Sequence, residues 1–563
     1  MGKSEKEMYD INKEFDEVTD HMKRGLTLLL CFAMSLSLFG CGLVGQEPDS
    51  PAAEATPQPA AAEVPEVVPE AEEIPVDPRP EVMRVITRSA ADLDPAGISG
   101  GNKNCLLEIY EPLFELAPDG SVCCILADET RGGKGGYDVE GGAYTVYLRE
   151  DITDQDGNPL TAADAAFCVK RLAEAEGWDI FTSAEAGENG ALTVKFSRAL
   201  SGSDEWEKYF GHVYLYTEKA YGEHGGFLSE SCGTGPYVLA EHNAESMSLL
   251  PSESYWQGEA AEGRGAAGVQ RIEYLFEDDP VAQVIALEVG KADMADCLSY
   301  PDTEDFRGEG SYADLFRVES AWDRTNYVLI PNVDYQSIMK EQNLRLGVFY
   351  AIDNAALAEF RGAGGARACT ALGNPDCAGL PDAGESYESV TPDVNGVRGY
   401  LRQASYVNEG FKLLTVEGGV SEELAVNIQT MLRPLSINAI VVKVKPEELE
   451  TKLQDPKAWD LVLLTVESGS AGELWKKLWT DRVKGSYMTG FLRDANFTKA
   501  LEPIATEEGR TPESLAAVQQ YALEHAYAMM LLQLSRSVVV PHNAESVYMT
   551  LDGAVLPGAC MYQ

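Results

Sequence analysis

The chain has 563 residues, with 44 Lys and Arg against 91 Asp and Glu, for a formal net charge of -47. That balance favours solubility and excludes the basic face that nucleic acid requires, so no nucleic-acid partner is expected. A 45% hydrophobic content is that of a globular protein, and the same acidity argues against direct adhesion to anionic lipid.

In chain order, Lys23-Arg24 precede GLTLLLCFAMSLSLFGCG. A basic pair, an apolar run of about 15 residues and small residues have the shape of a secretory signal peptide. A spanning helix needs about 20 apolar residues, and this run stops at Gly40-Cys41-Gly42. Leu38-Phe39-Gly40-Cys41 resembles a bacterial lipobox, in which the Cys is lipidated and becomes the mature N-terminus. Residues 45–80 are rich in Pro, Ala and Glu and contain no aromatic residue. Such a segment buries too little apolar surface to offset chain entropy. As a polyproline-like tether it reaches about 100 Å when extended. About 480 residues follow, enough for two or three domains.

The body reads as mixed α/β. VMRVIT (82–87) is a strand. GISGG (97–101) opens a helix predicted over 102–116, whose free N-terminal amides suit a ligand carboxylate. YTVYLRE (144–150) alternates as a half-buried strand does. Asp156-Gly157 is a turn, and Thr161 with Asp164 resembles a capping pattern. ALTVKFS near 191 is a strand, and the stretch from Gly235 to Trp256 holds two strands around Asn-Ala-Glu-Ser. VQRIEYLFED is another strand. Asp279-Pro280 then caps a helix ending at Gly290, and KADMADCL returns to the sheet. GFKLLTVE, SEELAVNIQTMLRPL, NAIVVKVK, PEELETKLQD and WDLVLLTVE form a βαβαβ unit with parallel strands. Ligands of such sheets bind beyond the carboxyl ends of the strands, here Glu417 and Glu467-Ser468-Gly469-Ser470.

The joint order of LDPAG, LLEIYEPLFELAPDG, the turn and capped helix of 148–172, GTGPYVL, SYWQG, ALEVGKADMA, NLRLGVFYAIDNAALAE and DVNGVRGYLRQASYVNEGFKL resembles the extracellular solute-binding lipoproteins of the oligopeptide/dipeptide/nickel class (family 5), which feed ABC importers. The resemblance spans Val82 to the C-terminus. It implies a bilobal periplasmic-binding-protein-like α/β fold of the large, three-subdomain type, closing by a hinge around its ligand. The implied division is 1–41 signal peptide, 42–80 tether, 81–324 lobe one with an extra subdomain at about 111–232, 325–536 lobe two, and 537–563 back in lobe one. Crossings are expected near 322–332 and 535–543. The implied partners are a peptide or similar small solute, the importer's permease subunits, and a membrane reached only through the lipid. A monomer on the extracytoplasmic face is implied, either at the surface of a monoderm or in a periplasm.

The candidate ligand contacts are Ser99, Gly100, Asn102, Asn104, Gly233, Tyr237, Trp322, Glu467, Ser468 and Ser470, with Cys41 as the lipidation site. One departure bears on the ligand. Peptide binders of this family often hold the α-amine with an Asp about nine residues beyond the Asp that starts the last strand of the unit. Here that strand starts at Asp460 and the matching region reads Ser468-Gly469-Ser470, preceded by Thr465-Val466 where an aromatic is usual. Glu467 is the acid left to meet an amine; otherwise the ligand is not an ordinary free-amine peptide. Of Trp322, Trp459, Trp475 and Trp479, three are expected to fill core, because burial is the default for an aromatic.

Other chemistries find little support. GISGG formally matches G-x-S-x-G, with Ser99 as nucleophile and His525 or His542 late in the chain, but the hydrolase strand pattern is absent, so no enzyme is expected. No His pair has i,i+4 spacing and no Cys joins one, so neither a metal site nor a cofactor is expected; the nickel or haem roles that the family allows have no residue of their own here. Cys369 and Cys377 are either a short disulfide loop or two buried thiols. An extracellular sensor or adhesin on the same fold remains the alternative to a transport receptor. Substituting Cys41→Ser should release the protein from membranes or leave an uncleaved precursor; membrane fractionation that finds normally processed, membrane-bound protein overturns the lipobox reading.

Overall fold

The computed structural model describes residues 79–563, except 89–92, 97–103, 117–121, 134–135, 201, 259–260, 262, 363, 382–393, 481–488, 551–553 and 563. The signal peptide, the tether up to residue 78, Cys41, Ser99, Gly100 and Asn102 therefore lie outside the described residues, as does the Ser99 elbow. No described helix is long and apolar enough to cross a membrane.

The elements used below are, in chain order, strand β1 (Met83–Thr87), β2 (Tyr137–Glu140), β3 (Ala143–Tyr147), helix α1 (Ala162–Ala175), β4 (Phe181–Ala186), β5 (Ala191–Phe196), α2 (Gly202–Phe210), α3 (Glu218–Glu223), β6 (Tyr237–His242), β7 (Ser246–Pro251), β8 (Ile272–Phe276), α4 (Pro280–Glu288), β9 (Met294–Ser299), β10 (Phe316–Trp322), β11 (Thr325–Pro331), β12 (Ala366–Ala368), β13 (Phe411–Val416), α5 (Gly419–Leu432), β14 (Ala439–Val444), α6 (Pro446–Leu453), β15 (Leu461–Glu467), α7 (Ala471–Trp475), β16 (Met529–Met530) and β17 (Leu532–Pro541).

Lobe one is built on a sheet of order β6-β7-β8-β1-β9-β17-β10; the start of β17 pairs in addition with β12, whose Ala366 packs against the lobe-two core. Beside it stands a four-stranded sheet of order β2-β3-β5-β4, with α1 against it. Lobe two is built on a sheet of order β14-β13-β15-β11-β16. The three members counted from its β14 edge are the βαβαβ strands, with β13 parallel to both β14 and β15. That is the pairing a strand-helix-strand connection allows. Each lobe has its own large apolar core, one around Val85, Ile109 and Tyr274 and the other around Leu413, Leu463 and Trp475.

The chain passes between the lobes at two places. The first is Asp323-Arg324, between β10 and β11. The second lies within β17: residues 532–534 pair with β12 and residues 535–541 with β10. The Asp323 amide donates to the Leu534 carbonyl at 2.9 Å, and the Gln533 amide side chain donates to the Asp323 carbonyl at 2.7 Å. The two crossings are thus bonded to each other.

The polar corner at 154–164 folds as its sequence suggests. Asp164 and Thr161 form a capping box at the start of α1. Asp154, almost fully buried, accepts from the amides of Asp156 and Asn158 and from the Thr217 hydroxyl. Asp279 caps α4, with Pro280 at its first turn.

Over the described part of the helix predicted at 102–116, residues 104–116, no α-helix forms. A 3-10 turn at Asn104–Leu106 is followed by extended pieces at Glu111–Pro112 and Phe114–Leu116. Tertiary bonds replace the helical ones. The amides of Gly235 and Tyr237 donate to the carbonyls of Ile109 and Glu108. A Cβ on Gly233 would stand 2.1 Å from the Ile109 oxygen, so only glycine permits the approach. Pro112, which cannot donate, accepts from the Leu126 amide instead. Glu111 is fully buried, where its carboxylate accepts from the Tyr255 hydroxyl at 2.7 Å and from the Trp256 indole at 2.9 Å.

Glu108 is buried beside this junction, with one carboxyl oxygen accepting from the Gly558 amide. Burial pushes its carboxyl from the ordinary 4.5 to about 7, against the opposing pull of Gly558 and Arg264. A raised carboxyl keeps its proton in the folded state where the unfolded chain has lost it. Its contribution to stability is therefore full below pH 4.5 and declines as the pH rises to about 7. Glu108→Gln keeps an acceptor for Gly558 and abolishes this titration. Urea unfolding across that window should show wild type losing about 3 kcal/mol relative to Glu108→Gln; a constant difference between the two proteins overturns the assignment.

Candidate functional site

A cavity of about 890 Å³ lies between the small subdomain of lobe one and the carboxyl end of β15 in lobe two, reaching to the crossings. Lobe one contributes Glu176 and Asp179 beyond α1, Arg198 beyond β5, and Glu205, Glu207, Lys208 and Tyr209 from α2. In α2 the buried Trp206 and Phe210, four residues apart, turn one face to the core, and its charged residues line the cavity. The crossings contribute Asp323, Arg324 and Arg536, and lobe two Glu467, Ser468, Glu473, Lys476 and Lys477. Seven carboxylates and six cations make this a polar chamber in which a charged solute finds partners of either sign.

Ion pairs already span it. Arg324 meets Glu207 at 2.5 Å, and Lys476 meets Glu205 at 3.5 Å, each joining α2 to the lobe-two side. Arg198 holds Glu205 by both carboxyl oxygens, at 2.6 and 2.7 Å. Glu473, nearly inaccessible, is paired with Arg510. Burial pushes Asp323 up to about 6, with Arg536 opposing and Glu467 adding to the rise. Burial and the bonded Asp179 push the Tyr209 hydroxyl up to about 12.

The loop after β15 is occupied by a cation from the opposite crossing. A Cβ on Gly469 would lie 2.4–2.8 Å from atoms of the Arg324 guanidinium. The guanidinium therefore rests on the glycine face in the stretch where the resemblance led us to look for an Asp. The loop is closed by its own bonds, with Ser468 Oγ donating to the Ser470 carbonyl and accepting from the Ser470 amide. Buried Asn326 donates to the carbonyls of Arg324, Val466 and Ser468, locking the crossing to the end of β15.

The residues singled out from sequence disperse. Glu467 and Ser468 line the main cavity. Asn104 lines an adjoining cavity of about 380 Å³, which shares Asp323 and Arg536 with the first, and donates there to Asp296. Trp322 lines a third, of about 350 Å³, with the Arg367 guanidinium 4.4 Å from its ring. Ser470 serves the loop. Gly233 and Tyr237 line none of the three cavities: Gly233 packs on Ile109, and buried Tyr237 donates to the Val269 carbonyl at 2.7 Å. Trp459, Trp475 and Trp479 are fully buried. Cys369 and Cys377 are both buried thiols, that of Cys377 donating to the Ser468 carbonyl at 3.5 Å. Sequence reading missed α2 altogether, because no local motif sets Glu205 and Glu207 apart from other surface carboxylates. It also missed Asp323-Arg324, although the pair sits inside the predicted crossing.

A family model described as bacterial extracellular solute-binding proteins, family 5 Middle, matches residues 137–473. No curated protein matches the chain. Among solved structures, the chain is similar to the ABC transporter substrate binding protein CtaP from Listeria monocytogenes, with a TM-score of 0.67 at 15% identity, covering 86% of this chain and 99% of that one. It is similar to a nickel ABC transporter protein from Bacillus halodurans, with a TM-score of 0.66 at 19% identity, covering 85% and 99%. It is also similar to MppA, a periplasmic murein tripeptide binding protein in its unliganded open form, with a TM-score of 0.64 at 14% identity, covering 86% and 97%. At these identities the likeness establishes the fold.

Gly469→Ala should drive Arg324 off the loop and break its bridge to Glu207, shifting the lobes toward the open form. A part-buried pair of this kind is worth roughly 1 kcal/mol, a several-fold change in population. Small-angle scattering should report a larger radius of gyration, and the effect should vanish in an Arg324→Ala background. An equal expansion in both backgrounds overturns the coupling.

Proposed function

The chain belongs to the bacterial extracellular solute-binding proteins of family 5, and on that premise we propose that it is a lipid-anchored receptor that delivers a small charged solute to an ABC importer. The observation that carries the reading is the interlobe cavity, large enough for a solute of a few residues and lined almost wholly by charged side chains. Binding there exchanges the bridges of Arg324 and Lys476 for contacts with the ligand. A solute that meets both lobes stabilises the closed form by its differential affinity for it. The lipobox at Cys41 and the acidic tether support anchorage at a distance from the membrane, with the acyl chains as the attachment.

The charges narrow the solute. The guanidinium over Gly469 suits a carboxylate or another anionic group, to which Arg offers a planar fork of donors. A buried ammonium needs a counter-charge, and Glu467 in the same wall supplies one. Short peptides and other zwitterionic solutes satisfy both; two of the similar structures are those of a murein tripeptide binding protein and a nickel ABC transporter protein. Trp322 and Asn104, in separate cavities, are assigned to the flanks of the site rather than to its centre.

The test begins with mass spectrometry of solutes that co-purify with the mature protein, followed by calorimetry with the solute found. Arg324→Gln should weaken binding about tenfold or more, the scale of a lost charged hydrogen bond. Amidating the ligand's carboxylate should produce the same loss without adding to it. Glu467→Gln and acetylation of a ligand amine should behave as a second such pair. A bound solute without an anionic group, or affinities indifferent to both substitutions, refutes this assignment.

A further inference from the structure

Away from the cavity, on the small subdomain, three dissimilar donors converge. A carboxylate oxygen of Asp156, a ring nitrogen of His224 and the Sγ of Cys232 all lie within 4.8 Å of one another. They are 8 and 68 residues apart in sequence, which is why no spacing motif announces them. Asp156 and His224 are accessible to solvent, whereas Cys232 is buried beneath them. None of the three lines the interlobe cavity.

The arrangement is held from several sides. His224 Nε2 faces Asp156 at 2.7 Å, and Nδ1 faces Glu230 at 2.7 Å. His224 also caps the C-terminus of α3, its amide donating to the Ala220 carbonyl. The loops carrying Asp156 and Cys232 are clamped at their adjacent residues: the Gln155 amide donates to the Gly233 carbonyl at 3.0 Å, and the Gly233 amide donates to Gln155 Oε1 at 3.1 Å.

We propose that Asp156, His224 Nε2 and Cys232 bind a zinc ion, with Glu230 orienting the imidazole through Nδ1. The donor set is one imidazole, one thiolate and one carboxylate, a mixture that suits a borderline-soft divalent ion. Tetrahedral zinc with these ligands places its donors roughly 3.5 Å apart, so the Asp156–His224 pair must open by somewhat under 1 Å while the Cys232 thiolate closes by about 1 Å, both within reach of side-chain movement. A carboxylate behind the second nitrogen of a metal-bound histidine fixes its tautomer and raises its basicity. The fourth position is left to water. The ion would tie the Asp156 turn, the end of α3 and the approach to β6 together, a clasp within lobe one that is independent of the solute.

The reduced full-length protein, titrated with zinc chloride in a calorimeter, should bind one equivalent and show a raised melting temperature. Cys232→Ser and His224→Ala should each weaken binding at least tenfold, and Glu230→Gln about tenfold or more. Cobalt substitution should give a thiolate-to-metal absorption band that persists in Cys123→Ser and disappears in Cys232→Ser. Because the band is read in wild type, a variant that fails to fold does not obscure the result. Absent binding, binding that survives both Cys232→Ser and His224→Ala, or a cobalt spectrum without the thiolate band overturns the site and leaves His224 an ordinary histidine between two carboxylates.

Discussion

One strand belongs to both lobes, and the geometry of the cavity depends on it. Leu532–Pro541 pairs with Ala366–Ala368 at its start and with Phe316–Trp322 for the rest of its length. Backbone pairing through this passage is continuous, so the lobes cannot slide past each other without breaking the ladder. The other passage, Asp323-Arg324, is bonded to it through Leu534 and Gln533. Relative motion is thus confined to rotation about two adjacent short segments, as in hinge closure. The same segments put Asp323, Arg324 and Arg536 into the cavity wall, so the hinge and the cavity share residues.

The distribution of charge around that hinge departs from that of the chain. Overall, acids outnumber bases by 91 to 44; in the cavity wall they stand at seven to six. Cations have been gathered where the lobes meet, and the bridges from Arg324 to Glu207 and from Lys476 to Glu205 use them. Partly buried pairs of this kind gain more from Coulomb attraction than exposed ones, because less water screens them. They also set a threshold for the ligand. A solute that displaces an internal carboxylate must bring a comparable group, since a cation left unpaired there is costly. If the proposed solute binds there, selectivity by charge follows from contacts the protein makes with itself.

The recognisable motifs serve architecture. Glu111 receives Tyr255 and Trp256, which ties the Tyr-Glu-Pro stretch to the Ser-Tyr-Trp stretch. Gln155, inside the polar corner that precedes the capped helix, bonds Gly233, Gly235 and Tyr237. Gly233 is required by the close approach of Ile109. Motif residues therefore meet other motif residues in the interior of lobe one, which is why their joint order identifies the family while saying little about the ligand.

What the sequence determined by itself is the set of elements with strong local codes. The βαβαβ unit of 410–467, the Thr161–Asp164 capping box, the Asp279-Pro280 helix start and the hairpin of β6 and β7 all rest on periodicity, caps and turn residues that act within a few positions. Ser468 and Glu467 were legible as cavity-lining residues for a similar reason, because the end of a parallel strand is where such sheets open onto a crevice. Tertiary structure alone decided the rest. It replaced a helix by extended pieces over 104–116, because Gly233–Tyr237 offered its carbonyls better partners than a helix interrupted by Pro112. It brought Glu205 and Glu207 of one lobe to Lys476 and Arg324 of the other, across more than 100 residues of chain. It laid a guanidinium on Gly469 and converged Asp156, His224 and Cys232. Such meetings depend on where whole elements pack, and no local pattern of residues encodes the position of a partner that distant.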